Sequence, residues 1–132
     1  MLSTELVQKA FAPLVEGNPP SFFRNHVDEN VSWTLMGREY PMAGHYSSRA
    51  EVLKSLNRIV GCLVAPPERT ITQIHTDGDW ATVEHNATGA TKKGSSFYQE
   101  MCWVCRFDGD KIVELRMYQD TALVKKILEE NE

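Results

Sequence analysis

Along the first sixteen residues, Leu6, Val7, Ala10, Phe11, Leu14 and Val15 recur at the three- and four-residue spacing that places them on one side of a helix. Ser3 and Thr4 precede this run as capping candidates, and Gly17 and Asn18 close it. Pro19 and Pro20 suit the first turn of a second short helix through residues 21–27, where a missing amide hydrogen costs no helical bond. Residues 31–36, with Trp33 among them, predict a strand. Residues 37–46 hold two glycines and a proline between polar and aromatic side chains, and so predict a long turn or pocket-rim loop. Ser48 and Glu51 have capping-box spacing at the start of a third helix. Its stripe is Val52, Leu53, Leu56, Ile59, Val60 and Leu63, and Pro66-Pro67 stops it.

From Glu68 the period changes from helical to alternating, with turn signals at Asp77-Gly78, Lys93-Gly94 and Asp108-Gly109. These divide the chain into strands at residues 68–76, 79–88, 95–107 and 111–119, followed by a terminal helix from Thr121 that buries Leu123, Val124, Ile127 and Leu128. Helices followed by a run of antiparallel strands predict an α+β fold with the helices on one face of a strongly curved sheet and a conical pocket between the layers.

Alternation sorts the strand residues into two faces. On the last strand, Ile112, Glu114, Arg116, Tyr118 and Asp120 stand against Val113, Leu115, Met117 and Gln119. Glu84 shares a face with Trp80, Thr82 and Asn86, and His85 lies on the other. Two readings follow. Either Glu84, Arg116, Tyr118 and Asp120 converge in the pocket, where apolar walls raise one carboxyl pKa for proton transfer, or Val113, Leu115 and Met117 pack on the helices and the charged set meets solvent. Asp120 also precedes the terminal helix and is placed to cap it.

The chain has 132 residues, the length of one domain with room for a modest pocket. Its 14 Lys and Arg against 18 Asp and Glu give a net charge of -4, which argues against electrostatic binding to nucleic acid or anionic lipid as the main role. No apolar run reaches membrane-spanning length and no signal peptide opens the chain, so a cytoplasmic setting is expected, and three cysteines fit a reducing compartment. Cys102 and Cys105 are three apart on a strand and so face opposite sides. The histidines His26, His45, His75 and His85 have no metal-ligand spacing. No cofactor is expected, since no phosphate-cradling glycine motif or dinucleotide fingerprint is present.

Three segments carry a resemblance: W-T-L-M-G-R-E-Y-P-M-A-G-H-Y-S-S-R at 33–49, G-D-W-A-T-V-E at 78–84 and D-G-D-K-I-V-E-L-R-M-Y-Q-D at 108–120. In their order and spacing the chain resembles the SnoaL-like group of the nuclear transport factor 2-like superfamily, which includes ketosteroid isomerases and limonene epoxide hydrolase. The resemblance covers nearly the whole chain. It implies that Arg116 and Asp120 point into the pocket, with Asp120 matching the hydrolase's general base and Glu84 its partner carboxylate. Thr82 stands where the hydrolase has an Arg, which argues against simple epoxide hydrolysis.

The implied function is cofactor-independent isomerisation, cyclisation or hydrolysis of an apolar polyketide-, terpenoid- or steroid-like molecule. The implied catalytic set is Asp120, Glu84, Arg116 and Tyr118. Trp33, Tyr98 and Phe23 are expected as pocket wall, and Arg38 and His45 at its mouth. A homodimer through the sheet is also implied, with Phe97, Met101, Trp103, Val113, Leu115 and Met117 as the apolar surface. The alternative is a ligand-binding or protein-interaction module without catalysis.

Overall fold

The computed structural model describes residues 2–132. Helix α1 (Thr4–Val15) starts where Ser3 accepts the Leu6 amide, and α2 (Pro19–His26) carries its two prolines in the first turn behind the Asn18 cap. Strand β1 spans Val27–Leu35, four residues earlier than the sequence pattern indicates, because Val27 and Val31 both reach the core. The 37–46 segment ends in a short strand, β2 (Gly44–Tyr46). Its turn needs Gly37, whose φ is +121° and whose side a Cβ would occupy only 2.9 Å from the Tyr40 ring.

Helix α3 (Arg49–Val60) begins at Ser48, whose Oγ accepts the Glu51 amide. The Glu51 carboxylate reaches back to the Ser47 amide rather than to that of Ser48. The helix ends at Gly61, short of Leu63, which bridges to Thr91 instead. Strands β3 (Glu68–Asp77), β4 (Trp80–Ala90), β5 (Ser96–Asp108) and β6 (Lys111–Tyr118) follow, and then α4 (Thr121–Asn131).

One six-stranded sheet runs in the order β2-β1-β6-β5-β4-β3, antiparallel except for the parallel β1–β6 pair. The helices cover its concave face. The row Ile74, Val83, Trp103, Met117 and Leu35 crosses five strands on that face. Above it, Phe11 and Phe22 of the first two helices pack on Trp103 at centroid separations of 5.9 and 6.3 Å, and Trp33 meets it edge-on at 5.4 Å.

Two bulges adjust the alternation. At Val113 two residues of β6 oppose one step of β5, so Ile112 and Leu115 both enter the core while Glu114 faces out. At Thr72, whose hydroxyl donates to the Glu84 carbonyl, the same device turns Ile71 and Ile74 of β3 to one side.

This burial corrects the expected dimer surface. Phe97, Met101, Trp103, Leu115 and Met117 are at most 6% exposed and lie under the helices, so they cannot meet a second chain. The apolar face of a one-sided sheet goes to the intramolecular core first. Cys105 is buried on that face and Cys102 is half-buried on the other, as their spacing requires.

Candidate functional site

Between α2, α3 and the concave face lies a cavity of about 530 Å³. Phe23, Phe97, Met101, Trp103 and Met117 form its buried floor. Leu53, Leu56 and Ile59 of the α3 stripe form one wall, and Pro20, Arg24, Asn57, Val60 and Pro66 are the exposed residues around the mouth. Leu53, Leu56 and Ile59 of that stripe thus remain half-buried, facing the cavity, while Val52 closes into the core.

The polar groups of the lining are unusual in sign. Three arginines, Arg24, Arg49 and Arg69, line the cavity, and no Asp or Glu does among the described residues. Arg49 donates to the backbone carbonyls of Val27, at 3.1 Å, and Phe23, at 3.5 Å, and so braces α3 against the end of α2. Arg24 is exposed. Arg69 differs from both, since its Nη1 is shut off from solvent without a hydrogen-bond partner. Its guanidinium lies 5.8 Å from the Trp103 ring centroid. Burial pushes its pKa down to about 10, which still leaves it charged at neutral pH.

Behind the floor, His85 stands edge-on to Trp103 with ring centroids 4.7 Å apart, and 6.2 Å from Phe11. It is 2% exposed and its Nε2 has no partner. Burial, and secondarily the positive charge of Arg69, lower its pKa to about 3, so it is a neutral imidazole at physiological pH. The Trp103 indole N–H is likewise buried and unpartnered.

The expected catalytic set lies elsewhere. Glu84 is exposed on the convex face, paired through its Cα with Cys102, which is in turn opposite Tyr118. Glu84 and Tyr118 therefore share a row but have β5 between them, a separation of roughly 10 Å at the usual strand spacing. Arg116 is on the same outer face, over the Trp80 ring at 5.2 Å and 3.8 Å from Glu114. The expectation that these residues enter the pocket is corrected: the apolar set Leu115 and Met117 takes the inner face because its burial is favourable, whereas burying Glu84 would carry a desolvation cost.

Asp120 caps α4, its Oδ1 accepting the Leu123 amide at 3.1 Å. Its backbone is held on both sides by the buried Gln99 amide, at 3.0 and 2.8 Å. Of the expected wall residues, Phe23 lines the cavity and Trp33 packs behind it at 5.7 Å, but Tyr98 is 48% exposed on the convex face. Arg38 is exposed on its loop. His45 lies on β2, 2.8 Å from the Ser32 hydroxyl, and borders a separate shallow depression with Glu51 and Lys54. Neither is at the cavity mouth.

Sequence reasoning missed Arg69. Its signal was weak: Arg69 shares a face with Ile71, but strict alternation puts Ile74 on the opposite face, and only the bulge at Thr72 returns it to the side of Ile71.

Residues 7–115 match the SnoaL-like domain family. The chain is 31% identical over 112 residues to the dimerizing cyclase phiC of a fungal species, a match covering 81% of this chain and 49% of that protein, so the chain spans about half the length of this curated relative. Among solved structures, a protein with cystatin-like fold from Xanthomonas campestris superposes with a TM-score of 0.79 at 17% identity, covering 97% of this chain and 98% of the other. A nuclear transport factor 2-like protein from Burkholderia thailandensis superposes with a TM-score of 0.75 at 25% identity, covering 94% and 95%.

Proposed function

The chain belongs to the SnoaL-like domain family, and from that membership we propose that it is a small-molecule enzyme of the cyclase or isomerase type, with its active site in the cavity between α2, α3 and the concave face. The observation that carries this reading is the cavity itself: about 530 Å³ with apolar walls and floor, within the range for drug-sized organic ligands. A polyketide- or terpenoid-like chain enclosed there loses its freedom to extend, and its reacting carbons are held together away from water. In this reading catalysis comes from positioning and desolvation. Glu84, Arg116 and Tyr118 have no role in it, because the sheet separates them from the cavity.

The test is incubation with polyketide- and terpenoid-like polyenes and ketones, followed by mass spectrometry. Expected is a product of unchanged mass, or of mass lowered by one water, at a new retention time. Leu53→Trp, which fills the cavity from α3, should abolish it. Recovery of bound but unaltered compound favours the second reading, a ligand-binding module, which the absence of a lining carboxylate among the described residues supports. Failure of any such compound to bind overturns both.

Self-association of two copies through the convex face fits the same architecture. Tyr98 and Tyr118 are exposed there beside half-buried Val104, and Arg106, Glu114 and Arg116 supply both signs of charge, as a two-fold interface requires. Sedimentation should give a dimer, and Val104→Glu a monomer.

A further inference from the structure

From the lining of the cavity we infer that the substrate is a carboxylic acid, an apolar body bearing one carboxylate that Arg69 receives. This deepens the reading of the cavity as the active site and rests on it. Three observations converge. The lining holds three arginines and no acid among the described residues, in a chain whose net charge is -4, so the positive sign is local to this site. Two of the three arginines are accounted for: Arg49 is bonded to backbone carbonyls and Arg24 is solvated. Arg69 alone, half-buried in the lining, makes neither a hydrogen bond nor an ion pair among the described residues, and its Nη1 is sealed off without a partner.

Buried donors left unpaired are costly, and a buried cation without a counter-ion is more so. The interior supplies no counter-ion here, since Glu84, the acid of neighbouring β4, is on the other face of the sheet. A carboxylate entering the cavity satisfies the guanidinium fork in the planar geometry it prefers. One anionic oxygen pair suits one guanidinium fork.

His85 fits as the residue that keeps the floor in order. Packed edge-on to Trp103 and neutral, it adds no second positive charge beside Arg69 and fixes the indole against which the guanidinium lies. It is a positioning residue.

The experiment is calorimetric titration of the full chain at pH 7.5 with 2-naphthoate, with the neutral isostere 2-naphthamide and with 2-naphthyl phosphate. The wild type should bind the carboxylate roughly 10- to 100-fold more tightly than the amide, the factor that a charge-assisted, water-shielded hydrogen-bonded pair commands. Arg69→Met should bind both equally, and Arg69→Lys should keep only part of the preference. Amide binding equal to carboxylate binding in the wild type overturns the inference but leaves the cavity reading standing. Preference for the phosphate overturns it in favour of a different anion. Failure of all three to bind overturns the cavity reading as well. The comparison of ligands on the unmodified chain needs no variant to fold.

Discussion

Replacing Arg69 by Met is expected to make the ligand-free protein more stable, although it removes a side chain from the interior. Burial lowers the guanidinium pKa well below its usual value, to about 10, which means that the folded state holds the charged form less favourably than the unfolded chain does. At 1.36 kcal/mol per tenfold change in protonation equilibrium, the penalty is up to about 3 kcal/mol. Its sign with pH is fixed: below pH 10 both states are charged and the penalty is complete, and it fades only as pH rises above 10 toward the ordinary guanidinium range. Against it stands the attraction of the guanidinium to the Trp103 ring at 5.8 Å, worth about 0.5–2 kcal/mol. A methionine keeps the apolar stem and drops both terms, so the net gain is about 1–2 kcal/mol. For a chain of this length that raises the midpoint of thermal unfolding by roughly 3–8 °C. Scanning calorimetry at pH 7.5 on both proteins, alone and with saturating 2-naphthoate, is the assay. The ligand should stabilise the wild type more than the variant. A variant that melts lower than the wild type in the absence of ligand would refute the reasoning, because it would mean that Arg69 has a partner within the fold.

Acid should destabilise the protein through His85, whose folded pKa of about 3 lies below that of the unfolded chain, so its contribution is intact above pH 6.5 and lost as pH falls toward 3. From pH 7.5 to pH 5 the loss is about 2 kcal/mol, measurable by urea titration. Among the described residues Arg69 is the charged group that acts on it, with Trp103, Phe11 and the paired Ile71 and Met101 around it, and His85→Phe should flatten this part of the profile. Asp120→Ala should cost about 1 kcal/mol from the lost α4 cap, whereas Asp120→Asn retains the cap and should leave both stability and turnover near wild type. A collapse of turnover in Asp120→Asn would restore this residue as a base. Gly37→Ala should destabilise by about 1–3 kcal/mol, since it forces a side chain into left-handed backbone and against the Tyr40 ring. An unchanged melting temperature would contradict that geometry.

How far the residues alone carry these conclusions differs by level. The helical stripes, the proline-opened α2, the Ser48 start of α3 and all four later strands were legible because each depends on near neighbours: periodicity, caps and turn glycines act within a few residues. The motifs at 33–49, 78–84 and 108–120 carried the family as well, and the match over residues 7–115 confirms it. Alternation also established that Glu84 stands apart from His85, and Cys102 from Cys105, on their own strands. It left open which face turns inward.

Only the tertiary structure decided that question, for two reasons. A sheet's inner face is the one whose summed burial is favourable over all its strands, and β6 read alone has chemistry on one side and apolar residues on the other. The bulges at Val113 and Thr72 then break the simple alternation where it matters, sending Ile112 inward with Leu115 and turning Ile71 and Ile74 to the same side. The pattern of residues established that one face of the sheet is apolar and the other charged. Packing of the helices decided that the apolar face holds the cavity, and with it that Arg69 of β3, rather than Glu84 of β4 or the helix-capping Asp120, lines it.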